Sequence, residues 1–401
     1  MRSVLFVDPP AFCTTLEGLV APGLRTRPLA IAPPAADRAT ILALSPEARL
    51  AGLIPGMPVR KAQRLCPDLV VLPPNPRLYA RASGALHEIL RIFAPIIEPR
   101  GYGHAFLDLT GTDRLLGPPQ DVATRIRREA AERLQLPLSV GVAANKLVSQ
   151  AAIRADRRAG GPVEVSGNDL LYVPAGDERS FLAPQPIEIM PELDPGIRLR
   201  LDDYQLELIG EVAAIAESSL CAVFGHQGRV LRNRARGIDP RPVLSPEQQS
   251  EFRVVHTLSS DTNDTGILHP LLRLMSERLG SRIRRRGLVA GRLRLEATYT
   301  DYTTVRRVLP LKEDMLDTEL WMTARRALTL ANSKRLAIRS LALTLDQLMQ
   351  ADTQLELWAA PTSDEAAPPV SLQHAIDRIR ARYGARALRS SLVAERAGAT
   401  R

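Results

Sequence analysis

No stretch of the chain approaches the ~18–20 consecutive apolar residues that a membrane-spanning helix requires. The opening Met1–Val7 has an apolar stretch too short for a signal peptide, and Asp8 interrupts it. Cysteine is scarce: Cys13, Cys66 and Cys221 lie far apart, in no metal-ligand spacing, and the six histidines do not cluster with them. That scatter argues against a disulfide framework and against zinc, and it fits a reducing compartment. Lysine is scarcer still in proportion, four residues (Lys61, Lys146, Lys312, Lys334) among 53 basic ones. No internal repeat is present. The expectation is a soluble cytoplasmic protein with no membrane partner.

What is present is a globular composition. The 401 residues are 45% hydrophobic and 24% charged, enough for two to four domains at ~100–200 residues each. A net charge of +9 and a pI near 9.9 suggest a polyanionic partner. Dispersed arginine-rich surface charge is the competing reading, so the distribution has to decide.

The first stretch alternates strand-like and helix-like segments. Ser3–Val7, Pro28–Ile31 and Ala39–Ala43 read as strands, and Pro46–Gly52 and Val59–Cys66 as short helices. Pro76–Phe93 reads as a long amphipathic helix. Ile96–Arg100 and Ala105–Leu109 form a hairpin with Gly101 and Gly103 at its turn. Pro119–Leu134 (helix), Leu136–Val142 (strand) and Asn145–Ala155 (helix) complete an α+β domain, its sheet covered on one face. Residues 166–240 read as short helices, and Pro240–Ser250 as a linker.

A second unit follows in the order β-α-β-β-α-β, a ferredoxin-like arrangement. Its segments are Phe252–His256, Pro270–Arg286, Arg292–Thr300, Thr303–Leu311, Glu313–Ser333 and Leu336–Leu345. Asp352–Val370 reads as a linker, and Ser371 caps a short basic helix with Leu372, Ile376, Ile379 and Tyr383 on one stripe.

Charge is concentrated in the second unit. Ser281–Val308 holds eight arginines (282, 284, 285, 286, 292, 294, 306, 307) against Glu296 and Asp301. Arg292 and Arg294, two apart on a strand, point from one sheet face, and Arg284–Arg286 end the adjacent helix. Guanidinium forks so placed match a phosphate backbone; a solvated sheet face is the alternative. In Phe224–Arg229 the glycines Gly225 and Gly228 bracket a turn into a helix, where backbone N–H groups can meet a phosphate beside Arg229. Each glycine alone is more often a helix cap.

These residues carry a resemblance to the Y-family translesion DNA polymerases, the DinB/UmuC group, through roughly residue 388. Val7–Cys13 is similar to the family's I-D-M-D-C-F-Y opening, and Ala48–Leu53 to its A-R-K-x-G-V segment. Gly101–Asp108 stands where the family has S-x-D-E-A-Y-L-D, and Phe224–Asp239 matches F-G-x-x-G-x-x-L-x-x-x-A-x-G-I-D. The resemblance implies a multidomain α+β polymerase shaped like a right hand. Residues 1–165 would be a ferredoxin-like palm with fingers inserted at about 20–75, and 166–240 the helical thumb. Then come a linker (241–251), the β-α-β-β-α-β little finger (252–348), a second linker (349–370), and a helix and tail (371–401).

The departures are as informative. Nucleotidyl transfer in this family uses two magnesium ions, which require a cluster of carboxylates. The resemblance places those at Asp8 and at positions 103 and 104, but Gly103 and His104 stand there. Among nucleotide-gripping positions Arg49 and Lys146 remain, while Pro46 and Gln150 have replaced a tyrosine and a lysine, and Cys13 stands at the sugar gate. Asp108 or Glu17 is the conceivable substitute ligand. The expectation is therefore a degenerate site with no catalytic residues, no bound metal and no cofactor, Asp8 being at most a remnant. Magnesium enters only in the alternative, an active error-prone polymerase with an atypical metal site.

Gln354, Leu355, Leu357 and Trp358 resemble the Q-L-x-L-F pentapeptide that binds the sliding clamp. A clamp-binding member without its carboxylates looks like the ImuB type. That likeness implies a noncatalytic adaptor in damage-induced translesion synthesis, at the bacterial nucleoid. Its partners would be DNA, the clamp, an error-prone C-family polymerase and a RecA-like accessory protein. The helix from Ser371 is either a partner-binding element or a tail helix docked on the body. The DNA-binding residues expected are Gly225, Gly228, Arg229, Arg284, Arg285, Arg286, Arg292, Arg294, Arg306 and Arg307. A pure partner-binding module, its basic face turned to an acidic protein, is a further rival.

Overall fold

The structure, a computed structural model, describes residues 2–33, 39–159, 170–248, 251–301, 303–311, 315–332, 336–350, 368–384 and 387–388. The chain divides into two compact units, 1–248 and 249–401.

The first unit is built on a five-stranded sheet in the order β5-β6-β1-β7-β8. Its strands are β1 (Val4–Asp8), β5 (Ile96–Pro99), β6 (Ala105–Asp108), β7 (Ser139–Ala143) and β8 (Leu170–Tyr172). Between β1 and β5 lies a small sheet of β2 (Leu29–Ile31), β3 (Ala43–Leu44) and β4 (Val70–Leu72), in the order β3-β2-β4. All five residues of β1 are buried, because helices cover both faces of the large sheet. Leu5 and Val7 face the helices Pro76–Arg91 and Pro119–Leu134 through Leu86, Leu90, Val122 and Ile126. Val4, Phe6 and Phe106 point the other way, onto Ile153 of the helix Lys146–Ala159. The expected one-sided sheet is thus two-sided.

A buried ion pair secures that second face. Lys146 Nζ donates to Glu98 of β5 at 2.7 and 2.9 Å and to the Pro242 carbonyl at 3.0 Å, and both side chains are 9% exposed. Strands β4 and β8 fall where none is expected, β8 inside the stretch read as helical; it extends the sheet by pairing parallel with β7. Beyond it come five short helices, Glu178–Leu182, Pro195–Asp203, Ile209–Ala214, Glu217–Phe224 and His226–Ala235, around a core of Leu182, Leu201, Val212, Leu220 and Leu231.

The second unit has the expected β-α-β-β-α-β order. Strands β9 (Glu251–Thr262), β10 (Leu288–Tyr299), β11 (Thr304–Pro310) and β12 (Ile338–Gln350) form an antiparallel sheet in the order β11-β10-β12-β9. Helices Thr265–Arg284 and Asp317–Ala331 cover one face, burying Leu272, Leu279, Leu320 and Leu328 against Leu293, Leu295, Leu341 and Leu343. The first of these helices begins five residues before the expected Pro270. Asp264 caps it, accepting from Gly266 N, and the proline lies inside. Helix Pro368–Tyr383 docks on this unit by charge, as Arg380 reaches Asp317 at 2.8 Å and Glu277 at 2.9 Å, and Asp377 reaches Arg284 at 2.6 Å. Gln354–Trp358, the clamp-like pentapeptide, lies outside the described residues.

Candidate active site and nucleic-acid interface

Strand β1 delivers Asp8 to the end of the large sheet, paired with Ser139. Asp8 is 7% exposed and has two basic residues beside its carboxylate. Arg157, two turns or more along the helix Lys146–Ala159, reaches Oδ2 at 2.8 Å, and His104 Nδ1 lies 3.0 Å from Oδ1. Burial alone would raise the acid's pKa, but the His104 ring and the Arg157 charge outweigh it and hold Asp8 below its ordinary value. The group is therefore ionised at neutral pH.

Two further arginines face the same charge. Arg49, on the helix Pro46–Leu50 that Ser45 caps, has its pKa lowered by burial and by Arg157, against the pull of Asp8. Arg154 is lowered by burial, again with Asp8 opposing. Arg157 Nη2 is buried with no partner, so the cluster retains an unused donor. Sequence reasoning missed Arg157. The available signal was its spacing three residues after Arg154 on a helix face, which places the two side by side.

Position 103 excludes any side chain. Gly103 has φ +77°, and a Cβ there would stand 2.9 Å from the Phe12 ring. Its N–H donates to Ser83 Oγ at 3.1 Å. His104 stacks on Phe6, centroids 6.2 Å apart and planes 8° from parallel. Asp108 is no substitute ligand: it pairs with Val4, four residues or about 13 Å back along β1, and accepts from Thr110 N. Glu17 accepts instead from Tyr79 Oη at 2.9 Å. Burial, with Glu17, pushes the Cys13 thiol up to about 11, so it stays protonated.

Magnesium is commonly held by one or two carboxylates, with water and phosphate oxygens completing its shell. Asp8 meets that minimum for a single ion shared with a nucleotide. It does not make a two-ion cage, and no group of three or more acidic, histidine or cysteine ligands occurs among the described residues. Lys146, expected at the nucleotide, is instead committed to Glu98 and Pro242.

The expected DNA-binding residues divide into several environments. Gly228 is a packing residue: a Cβ would lie 2.4 Å from the Leu220 carbonyl carbon, so helices Glu217–Phe224 and His226–Ala235 need it bare. Gly225 has φ +62° with open space around it, and Arg229 is exposed and paired with Glu217 at 2.6 Å. Arg284 belongs to the buried ionic cluster with Asp317 and Asp377, 11% exposed, and is no DNA ligand. Arg285 is exposed, and Arg286 lies over the Phe252 ring at 4.8 Å. Arg307 donates to the Leu330 carbonyl on the helical side, opposite Arg306. Arg292, Arg294 and Arg306 do share the open sheet face, and Arg253 of β9 joins them there.

Comparisons with known proteins agree with this architecture. Residues 7–154 match the impB/mucB/samB family, and residues 252–357 match that family's C-terminal domain. A DNA polymerase IV of Dehalococcoides mccartyi is 31% identical over 386 residues, 96% of this chain and 95% of its own. DNA polymerase IV 1 of Bacillus subtilis is 29% identical across 97% of this chain and 92% of its own. Among solved structures, a Y-family DNA polymerase chimera superimposes with a TM-score of 0.66 at 20% identity, covering 86% of this chain and 99% of its own. An insertion ternary complex of Dbh DNA polymerase gives 0.58 at 21%, covering 86% and 98%.

These relatives overturn two expectations drawn from the sequence: that the chain is not an enzyme, and that it takes no cofactor. Full-length similarity to proteins named as DNA polymerases replaces the degenerate-site reading, which rested on Gly103 and His104 together with Pro46, Gln150 and Cys13. The inactive side of the ImuB likeness falls with it.

Proposed function

Since the chain belongs to the impB/mucB/samB family of Y-family DNA polymerases, we propose that it is a template-directed DNA polymerase of the translesion type with an atypical metal site. The observation that carries this reading is the pairing of one buried, ionised carboxylate with an arginine cluster. Arg49, Arg154 and Arg157 surround Asp8, and one Arg157 donor is unused.

In this reading Arg49 and Arg157 bind the triphosphate of the incoming nucleotide. Guanidinium groups suit that task because their planar donors match phosphate oxygens. With the nucleotide bound, the Arg157–Asp8 contact gives way to Arg157–phosphate contacts, which frees Asp8 as the carboxylate that would hold a divalent cation. That cation would neutralise charge on the transferring group. Cys13, protonated and small, stands beside the sugar and leaves room for it. The ImuB likeness contributes its partner set: the clamp through Gln354, Leu355, Leu357 and Trp358, and recruitment of a C-family polymerase and a RecA-like protein at the nucleoid.

Extension of a primed template by single nucleotides tests the reading, in magnesium and in manganese. Extension should occur and disappear in Asp8→Ala, while Arg157→Ala should raise the nucleotide KM by about ten-fold, a loss of ~1.4 kcal/mol. A protein that binds the primed template but extends it with neither metal would refute the proposal.

A further inference from the structure

The open face of the second unit's sheet carries its own counterions. Its side chains fall in cross-strand rows: Arg292 of β10 beside Asp346 of β12 and Glu251 of β9; Arg294 beside Thr344 and Arg253; Arg306 of β11 beside Glu296 and Ala342. These three rows hold four arginines (Arg253, Arg292, Arg294, Arg306) and three carboxylates (Glu251, Glu296, Asp346). The acids Glu296 and Asp346 lie at its floor, with side chains 10% and 11% exposed. Arg306 and Arg253 stand above them at 62% and 48%. Glu296 accepts from Arg306 at 2.8 Å and from Arg253 at 2.7 Å. The second of these contacts crosses β12, where Ala342 is small enough to let it pass. Asp346 accepts from Arg292 at 2.8 Å and lies 3.8 Å from Arg294, which also reaches Glu251.

From this arrangement we infer that Glu296 and Asp346 are built-in competitors of the DNA phosphates, setting how tightly this sheet face holds nucleic acid. The inference rests on the reading that the face binds DNA. When an arginine pairs with a phosphate, affinity comes largely from counterions released into bulk solution. A carboxylate fixed at the floor of the sheet cannot be released. It keeps part of each guanidinium's charge neutralised, and it repels the approaching phosphate. The net formal charge of these rows is therefore +1 rather than +4, since three carboxylates oppose four arginines. A grip limited in this way is weak and depends only shallowly on salt, although the surrounding sequence is rich in arginine.

Isosteric neutralisation separates this role from a structural one. Glu296→Gln and Asp346→Asn keep the shape and one accepting oxygen each, but remove the charge and put an amide donor in place of the second oxygen. Binding of a fluorescent primed-template duplex, followed by anisotropy between 50 and 300 mM salt (a range of roughly this width suffices to fix a slope), is the measurement. Each variant should bind about three- to ten-fold more tightly at the middle of that range, with the log–log salt slope steeper by about 0.9 for each additional phosphate neutralised. Arg292→Ala and Arg306→Ala should weaken binding in the same assay. Affinity and slope unchanged or reduced in both neutralised variants, at unaltered melting temperature, would overturn the inference. Should the arginine variants also bind like the unmodified chain, the underlying reading of the face falls instead. Two acids serving separate arginine pairs keep the test decisive if one variant folds poorly.

Discussion

A single glycine shows how closely the residues around Asp8 are fitted. Gly103 combines a left-handed backbone with the Phe12 ring where a Cβ would go. Gly103→Ala should therefore destabilise the first unit by about 2–4 kcal/mol, combining the positive-φ penalty with a clash against a buried ring. Urea unfolding reads the loss. In a Phe12→Leu background the same substitution should cost less, because its clash partner is gone; an equal cost in both backgrounds would mean the ring is not the obstacle. At this scale the sequence was unevenly legible. Asp8 was readable because Val7–Cys13 resembles a known family opening that carries a carboxylate at this position. Arg157 was not: its spacing from Arg154 puts the two on one helix face, but only the packing of that helix on the sheet aims them at a carboxylate. The same is true of Lys146. Its place after Asn145, which caps the helix by accepting from Val148 N, was readable, but its direction across the sheet to Glu98 was not.

That Lys146–Glu98 contact makes the helix and the sheet one element. Both partners are 9% exposed, so neither charge keeps much hydration, and Glu98 also accepts from Leu244 N. Removing one partner should be worse than removing both. Lys146→Met alone should cost about 3–5 kcal/mol by stranding a buried carboxylate. Lys146→Met with Glu98→Gln should recover a good part of that. Denaturant midpoints of the two variants check the order, and a double variant no more stable than the single would show the pair to be unimportant. Element order was legible wherever period and length agreed, as in Pro119–Leu134, whose observed bounds are those expected from its apolar stripe and terminal turn. It failed at β8, because three residues carry no period of their own and become a strand only through parallel pairing with β7. The helix Thr265–Arg284 was clipped at Pro270 for the opposite reason: proline usually marks a helix start, and here the Asp264 cap overrides it.

Across the whole molecule, the +9 net charge says less than where the charges are paired. Arginines that looked equivalent along 281–308 serve different ends: Arg306 is mostly exposed on the open sheet face, Arg307 is tied to a helix carbonyl, and Arg284 is buried. The buried set decides the fate of the helix Pro368–Tyr383. Of the two readings left open by the sequence, docking on the body is the one observed, and it uses the charged side of the helix. Gln373 and Arg380 are buried, while Leu372 and Tyr383 remain exposed. Arg380, 9% exposed, holds Asp317 and Glu277 together, acids 4% and 9% exposed that belong to different helices of the second unit. Arg380→Ala should thus free the terminal helix and leave two carboxylates facing one another with less compensation, at a cost of about 3 kcal/mol. The chain forms two compact units, and the substitution lies wholly within one. Calorimetry should accordingly show the second unit's transition shifted down and the first unit's left in place. A uniform shift of all unfolding would mean that Arg380 supports more than its own unit, whereas no shift would mean that the helix is held by its apolar contacts after all.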